Sequence, residues 1–389
     1  MATKRDAVII GGGIIGCSIA YYLAKKGIRP IVVERRGVGE GTSSACDGFI
    51  FMQTKKPGLP LTLAMESAGI YQTLSKELGS EVYYQRPGGL ILIETEEQLA
   101  VMEEVVANQK KCGMEVEIIS GDDARKMEPY LSKNIAAAAY SALDGHADPI
   151  ATTLAFAKKA KELGAEFWTH TQVTGITVKN GAVRGVQTSR GEIETECAVV
   201  AAGAWSPFIG EMVGLDVPIR PRRGQTMVTE PLPPIFHKEL LCARYIAIKH
   251  HPELAKGSDD PGLKLGVGLS IEQTEHGNLL IGNNREFAGY DVSTSFEVLR
   301  EVCNYVTRFV PFLKDVNIIR TFSGLRPFCE DGSPIIGATK ALPGLIFATG
   351  HEGDGIALAP ITGELVSDLI KEGKTKHDIS SFSYDRFIK

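Results

Sequence analysis

Residues 6–35 read D-A-V-I-I-G-G-G-I-I-G-C-S-I-A-Y-Y-L-A-K-K-G-I-R-P-I-V-V-E-R. An apolar run at 7–10, a knot of glycines, an apolar-periodic stretch to about Lys26 and a second apolar run closing on Glu34 predict strand, turn, helix and strand in that order. Gly11, Gly13 and Gly16 fill the G-x-G-x-x-G spacing. The first glycine permits a tight turn and the second lets backbone approach a pyrophosphate. The third lets the helix lie close to the strand, so that its N-terminal amides and dipole face the phosphates. Glu34 stands where an acid takes the two ribose hydroxyls of an adenosine. Glycine turns of this spacing also occur in unrelated proteins; between a strand and a helix, with an acid about 20 residues on, the spacing marks a dinucleotide site.

At 389 residues the chain exceeds one usual core, so two closely packed domains are expected. Its 43% hydrophobic and 23% charged residues are ordinary for a globular protein. A net charge of −5 gives no electrostatic reason to expect nucleic acid or an anionic membrane as partner. The first apolar run is broken by glycines and lacks a signal-type cleavage site, and no other stretch approaches the ~18 apolar residues of a membrane helix; a cytoplasmic protein is expected. The seven cysteines are scattered without a C-x-x-C pair, and the eight histidines show no H-x-x-x-H spacing. No metal site, iron–sulfur site or disulfide framework is therefore expected.

Downstream of Glu34, R-R-G-V-G-E-G-T-S-S-A-C-D-G-F-I offers backbone and hydroxyl donors to a ligand, or makes a plain surface turn; its place after the ribose strand favours the ligand. A helix is predicted at 61–78, stopped by Gly79, then two short antiparallel strands around Pro87-Gly88-Gly89. Helices follow at 96–112 and 121–127. Asp148-Pro149 opens a long helix to Leu163, and three short strands turn at Asn180-Gly181 and Arg190-Gly191. A buried strand then runs into Ala202-Gly203-Ala204, where backbone again approaches a ligand. Between 219 and about 321 the pattern is strand-rich, with 242–249 and 263–269 read as strands, a helix at 295–309 and a surface insertion at 251–261. His250 and His251 are read as exposed loop. Segments 1–80, 145–218 and 323–389 are expected to build the nucleotide domain. Segments 81–144 and 219–322 are expected to build a discontinuous substrate domain on an antiparallel sheet. The fold class is α/β (α+β), Rossmann-like.

The last 60 or so residues contain a second strand–glycine–helix unit, G-L-I-F-A-T-G-H-E-G-D-G-I-A-L-A-P. It would bring another helix N-terminus to the same cofactor. A nicotinamide enzyme has no need of this, whereas a flavin dinucleotide held at both ends does.

Three separated elements now match one family. G-G-G-I-I-G with Glu34, S-G-L-R-P-F-C-E-D-G-S-P-I-I-G at 323–337, and A-T-G-H-E-G-D-G-I-A-L-A-P at 348–360 resemble the D-amino-acid oxidase/glycine oxidase family of FAD enzymes. Within it, the chain looks most similar to sarcosine oxidase β-like subunits and to dehydrogenase subunits acting on proline, hydroxyproline, opines or, in cyanide synthesis, glycine. The resemblance implies a glutathione-reductase-like FAD domain and a small amino acid or secondary amine acid as substrate. Hydride passes from its C–H bond to flavin N5, and water hydrolyses the imine. Arg326 matches the family's carboxylate-binding arginine, a role its bidentate fork suits; the alternative is a structural arginine before Pro327. Tyr245 matches a pocket tyrosine, or is a buried strand tyrosine. His351 matches the loop around the flavin ring, through backbone rather than acid–base work, and no protein base is named.

By the same matching, Gly11, Gly13, Ile14, Ile15 and Gly16 meet the phosphates, and Glu34 and Arg35 the adenosine. Thr42, Ser43, Cys46, Asp47 and Gly48 line the path to the ring, with Gly203 beside them. Val173 holds adenine through its backbone, and Gly350, His351, Glu352, Gly353, Asp354, Gly355 and Ile356 close the site. T-S-S-A-C-D-G lacks the histidine that carries flavin covalently in some members, and Cys329 is offset from the covalent cysteine, so FAD is expected to be non-covalent. The resemblance and the absence of iron–sulfur ligands point first to the FAD subunit of an amino-acid dehydrogenase that passes electrons to a partner subunit, and leave room for a second flavin at a subunit interface. The competing readings are a self-sufficient oxidase releasing hydrogen peroxide, a non-catalytic FAD electron-transfer subunit, and oxidation of a hydroxy acid or polyol phosphate. Phe49, Phe51, Met52 and Phe328 are expected in the core rather than at the substrate.

Overall fold

The opening prediction maps directly onto structure. Ala7–Ile10 and Pro30–Val33 are strands buried along their whole length, joined by the helix Ile14–Lys25. Burial on both faces is what an all-apolar parallel strand requires. The computed structural model describes residues 3–251 and 259–388. In it these strands lie in a six-stranded sheet ordered Ile335–Ala338, Leu345–Thr349, Ala198–Val200, Ala7–Ile10, Pro30–Val33, Glu166–Trp168. All neighbours are parallel except the first pair. The closing unit therefore enters the sheet two strands from the opening one. Its helix, Gly355–Glu372, packs on Ile14–Lys25. The helices meet at Gly363, where a Cβ would lie 2.2 Å from Ser18 Oγ, and that hydroxyl donates to Ala359 O at 2.8 Å. Pro149–Glu162 packs on the same helix, opened by the Asp148 side chain, which accepts from Ala151 N.

A four-stranded sheet of Thr3–Lys4, Gly191–Glu194, Ala182–Thr188 and Val173–Lys179 covers the other side, turning at the left-handed Asn180 and Gly181. Glu166–Trp168, a strand beyond the three expected here, is the edge of the parallel sheet.

The second large sheet has eight strands, ordered Ile318–Cys329, Ile219–Pro231, Asn278–Gly282, Ser270–Gln273, Glu239–Cys242, Gly89–Ile93, Ala137–Ser141, Glu117–Ser120. It is antiparallel but for one pair, Glu239–Cys242 against Gly89–Ile93, which is parallel. Phe296–Phe309 covers one face with Val298, Val302, Tyr305, Val306 and Phe309. The long outer pair aligns Arg222 with Arg326 and Gly224 with Gly324.

Three local expectations are corrected. Residues 83–85 do not pair with 89–93: Gln85 bridges His146 instead, and Gly88 N bonds Asp144 O. The strand expected at 242–249 ends at Cys242, and Arg244–His250 is a helix, so Tyr245 is a helical residue and His250 ends a helix rather than lying in a loop. Ala243, Ile246 and Ala247 are buried, a three-and-four spacing that suits a helix. The strand expected at 263–269 is instead a turn of helix, Pro261–Lys264, capped by Asp260 and broken at the left-handed Gly266; strand begins only at Ser270. Most of the insertion expected at 251–261 lies outside the described residues.

Candidate active site

A cavity of about 270 Å³ runs from Glu34, Arg35 and Val173 at one end, past Gly11, Gly13, Ile14 and Ile15, to Arg326, His351 and Gly353 at the other. Its walls come from both large sheets. The glycines that shape its entrance act through their missing Cβ. Gly11 has φ 114, and a Cβ there would lie 2.5 Å from Ala201 O. At Gly16 it would lie 2.0 Å from Gly11 O, so Gly16 sets helix-to-turn packing and does not itself line the cavity. Glu34 is fixed by two backbone amides: Gly12 N donates to Oε2 at 2.7 Å and Arg36 N to Oε1 at 2.8 Å. Each oxygen keeps a second acceptor site. The Arg35 guanidinium lies 4.3 Å from the Trp205 ring centroid. Ser43 Oγ accepts from Ile14 N at 3.0 Å, and Thr42 donates to Leu325 O at 2.6 Å, tying the 42–48 loop to the arginine strand.

Thr42, Ser43, Cys46, Asp47, Gly203, Glu352, Gly355 and Ile356 also line this cavity. Gly48 and Gly350 do not. Gly48 sits under the loop, its N–H donating to Glu272 Oε2 at 2.7 Å, and a Cβ there would lie 2.1 Å from Ala147 O. Gly350 turns at φ 78 beside Ile219. Burial pushes the Cys46 thiol well above its ordinary range, leaving it protonated. Cys329 is buried away from the cavity lining, beside Arg386.

At the far end a second cavity, of about 100 Å³, shares Asp47, Arg326, Glu352 and Gly353 with the first and adds Tyr245, Arg285, Lys55, Asp354 and Asn283. Arg326 projects from Ile318–Cys329, and Nη1 donates to Asn284 O at 3.1 Å. Burial lowers its pKa to about 10, so it stays cationic at neutral pH. Gly224 on the neighbouring strand makes room for it: a Cβ there would stand 2.1 Å from Nη1. Arg285 lies over Tyr245, 3.4 Å from the ring centroid, with Nη1 donating to Asn283 Oδ1 at 3.2 Å. Arg222 pairs with Glu352, a non-glycine residue at φ 49, and stacks 4.4 Å from the Phe328 ring centroid. Lys55, nearly inaccessible, pairs with Asp354 at 2.7 Å and also donates to Phe51 O and Thr54 Oγ1. Burial drives the His351 imidazole down to about 4, and its Nε2 lies 3.1 Å from Thr362 Oγ1; it is neutral at ordinary pH.

Arg326, Tyr245 and His351 are thus brought to the far end of the first cavity, Tyr245 in the adjoining second cavity, His351 in the first and Arg326 in both. Phe51 and Met52 are buried in the core, while Phe49 and Phe51 also wall the second cavity. Sequence reasoning missed Arg285, Arg222, Gly224 and Lys55. Strand alternation places Arg222 and Gly224 on one face of their strand, but only the pairing with Arg326 reveals what that face meets.

The cavity fits a bound dinucleotide. A helix N-terminus opens onto it, an acid with spare acceptor sites closes one end, and Gly13, Gly203 and Gly353 present bare backbone along it; among the described residues a Cβ at Gly203 would meet no atom within 4 Å. The second cavity, lined by the half-buried, cationic Arg326 guanidinium, suits a small carboxylate. Fold and site together define a flavin-dinucleotide oxidoreductase. Over residues 6–369 the chain matches the DAO family, described as FAD dependent oxidoreductase, and it belongs to that family. Glycine oxidase of Bacillus licheniformis is 30% identical over 393 residues, covering 99% of this chain and 98% of the relative. Hydrogen cyanide synthase subunit HcnC of Pseudomonas aeruginosa is 28% identical, covering 100% of this chain and 97% of the relative. The crystal structure of L-proline dehydrogenase from P. horikoshii superposes with a TM-score of 0.89 at 31% identity, covering 100% of this chain and 98% of that one. Among the described residues no helix is long and apolar enough to cross a membrane.

Proposed function

We propose that the protein oxidises the C–N bond of a small α-amino acid or secondary amine acid, and that the imine product is hydrolysed by water. The observation that carries this reading is Arg326: a half-buried, cationic guanidinium whose one hydrogen-bond partner among the described residues is the backbone of Asn284, on the border between the dinucleotide cavity and a small chamber. A bidentate fork at that border fixes a carboxylate, and with it the direction of the α C–H bond. FAD, when bound, supplies the two-electron acceptor for that bond. Gly11, Gly13, Ile14 and Ile15 would hold its phosphates, Glu34, Arg35 and Val173 its adenosine, and the loops 42–48 and 350–356 its ring end. Tyr245, stacked under Arg285, shapes the chamber. His351, neutral and bonded to Thr362, contributes position rather than proton transfer.

The reading places electron delivery in a partner subunit, supported by the likeness to a cyanide synthase subunit; the likeness to a glycine oxidase supports direct reoxidation by oxygen. Anaerobic bleaching of the flavin absorbance with glycine, sarcosine, both enantiomers of proline and hydroxyproline, and opines tests both. Bleaching by one of them identifies the substrate. On admitting air, rapid recolouring with peroxide marks an oxidase and slow recolouring a dehydrogenase awaiting its partner.

A further inference from the structure

An amine near neutral pH carries an extra proton, and a protonated nitrogen has no electron pair with which to form a C=N bond. Some group must take that proton, and the chamber holds few free ones. Glu352 is committed to Arg222, and Asp354 to Lys55. His351 is neutral but bonded to Thr362, in the other cavity. Tyr245 lies beneath the Arg285 guanidinium.

Asp47 is different. It lines both cavities, at the border that Arg326 also occupies. Among the described residues it has no ion-pair partner within 4 Å; its carboxylate takes a long hydrogen bond from Ser270 Oγ at 3.5 Å and one from its own backbone N–H. It is half-buried by accessible surface yet lies deep in the protein, because the surface it keeps faces the cavities. The backbone that carries it is pinned from below by Glu272, a buried residue whose Oε2 accepts from Gly48 N at 2.7 Å.

We infer, resting on the function proposed above, that Asp47 accepts the proton of the substrate's ammonium nitrogen, and that Glu272 is a positioning residue holding the loop that presents it. In this step the N–H bond breaks and an O–H bond forms on the Asp47 carboxylate. The electron pair stays on nitrogen and becomes the second bond of the imine when the α C–H bond breaks and its hydride leaves to the flavin that the cavity would hold. With Arg326 on the carboxylate and Asp47 on the amine, the chamber is complementary to a zwitterion.

The electrostatics favour the transfer. Burial raises the Asp47 pKa, and Arg326 and Arg285 offset only part of that rise. A raised carboxyl lies nearer the amine in acidity, as a proton acceptor in a reaction should. The other titratable groups facing Asp47 are Cys46, held as a thiol, and the acids Glu272 and Glu239, the latter bonded to His146. Burial pushes both acids upward, Glu272 further through the charge of Glu239.

The test uses the FAD-loaded enzyme, whose variants are first compared for flavin content and melting temperature. Anaerobic flavin reduction by the best substrate is followed from pH 6 to 9 in wild type, Asp47→Asn and Asp47→Glu. The Asn variant should lose ~10²–10⁴-fold at pH 7, the usual size of a proton-transfer contribution. It should regain rate about tenfold per pH unit, as free amine becomes available to it. The Glu variant should recover part of the loss. Parallel pH profiles in wild type and Asp47→Asn would overturn the inference. A binding measurement independent of turnover uses 2-aminoisobutyrate, which has no α-hydrogen: calorimetry at pH 8 in buffers of different ionisation enthalpy should find no net proton released by wild type. Release of about one proton by wild type would overturn the assignment without any variant. If no amino acid bleaches the flavin at all, the proposed function fails; bleaching with parallel pH profiles removes Asp47 alone.

Discussion

Arg326 depends on residues far away in the chain. Gly224 gives it space and Asn284 O gives it its hydrogen bond, so the G-L-R-P motif is necessary but not sufficient for the geometry. Gly224→Ala should therefore mimic an Arg326 mutant in a milder form, raising KM for the amino acid ~10-fold or more while FAD content is unchanged, since small displacements of a positioning group are costly. Arg326→Met should cost ~10²–10³-fold in kcat/KM, the loss expected when one partner of a buried charge pair is removed. Both are read by steady-state kinetics alongside the ratio of flavin to protein absorbance. His351 offers a pH prediction. Its folded pKa, about 4, lies below the unfolded value of 6.5, so the native state binds fewer protons between those limits and stability rises with pH across that window. His351→Gln should flatten the change in melting temperature between pH 4.5 and 6.5; an unchanged slope would assign that acid sensitivity elsewhere. At this scale Arg326 was legible in the sequence because its motif is contiguous. Arg285 and Lys55 were not, because their roles exist only once separated strands and loops share a wall.

The opening strand–turn–helix was legible because its determinants are local: apolar strands, glycines at steric contacts, and an acid at the strand end. The helix that carries Tyr245 was not. Its run C-A-R-Y-I-A-I-K satisfies both alternation and helical spacing, and the choice is made by burial of Ala243, Ile246 and Ala247. The loop 42–48 divides in the same way: its small polar residues point to a ligand, but nothing in it points to Glu272 beneath. The glycines give a graded prediction for this element. Gly16→Ala would put a Cβ 2.0 Å from Gly11 O, backbone against backbone, and Gly11→Ala would add the strain of φ 114. Both should yield protein without flavin. Gly13→Ala meets only the Ser43 hydroxyl, at 3.2 Å, and should retain partial flavin content. Equal flavin content in all three would mean that this turn does not hold the cofactor.

One chain weaves the two large sheets, with the cavity walled by both, so cofactor and fold should be coupled. A ligand bound only by the native state adds about 2.7 kcal/mol at 100 times its Kd, and the melting temperature should rise with added FAD. Acid precipitation should release the yellow colour, because Cys329 lies off the cavity wall and Cys46 is held as a thiol. Colour retained on the precipitate would show a covalent link. The account rests above all on a carboxylate held at Arg326 beside the flavin. The direct measurement is anaerobic reduction of the bound flavin by the best amino acid and by its carboxamide, compared at one pH. The account predicts fast bleaching by the acid and a loss of ~30-fold or more with the amide, in line with the ~2–5 kcal/mol of an unpaired buried charge. Equal rates for acid and amide would contradict it.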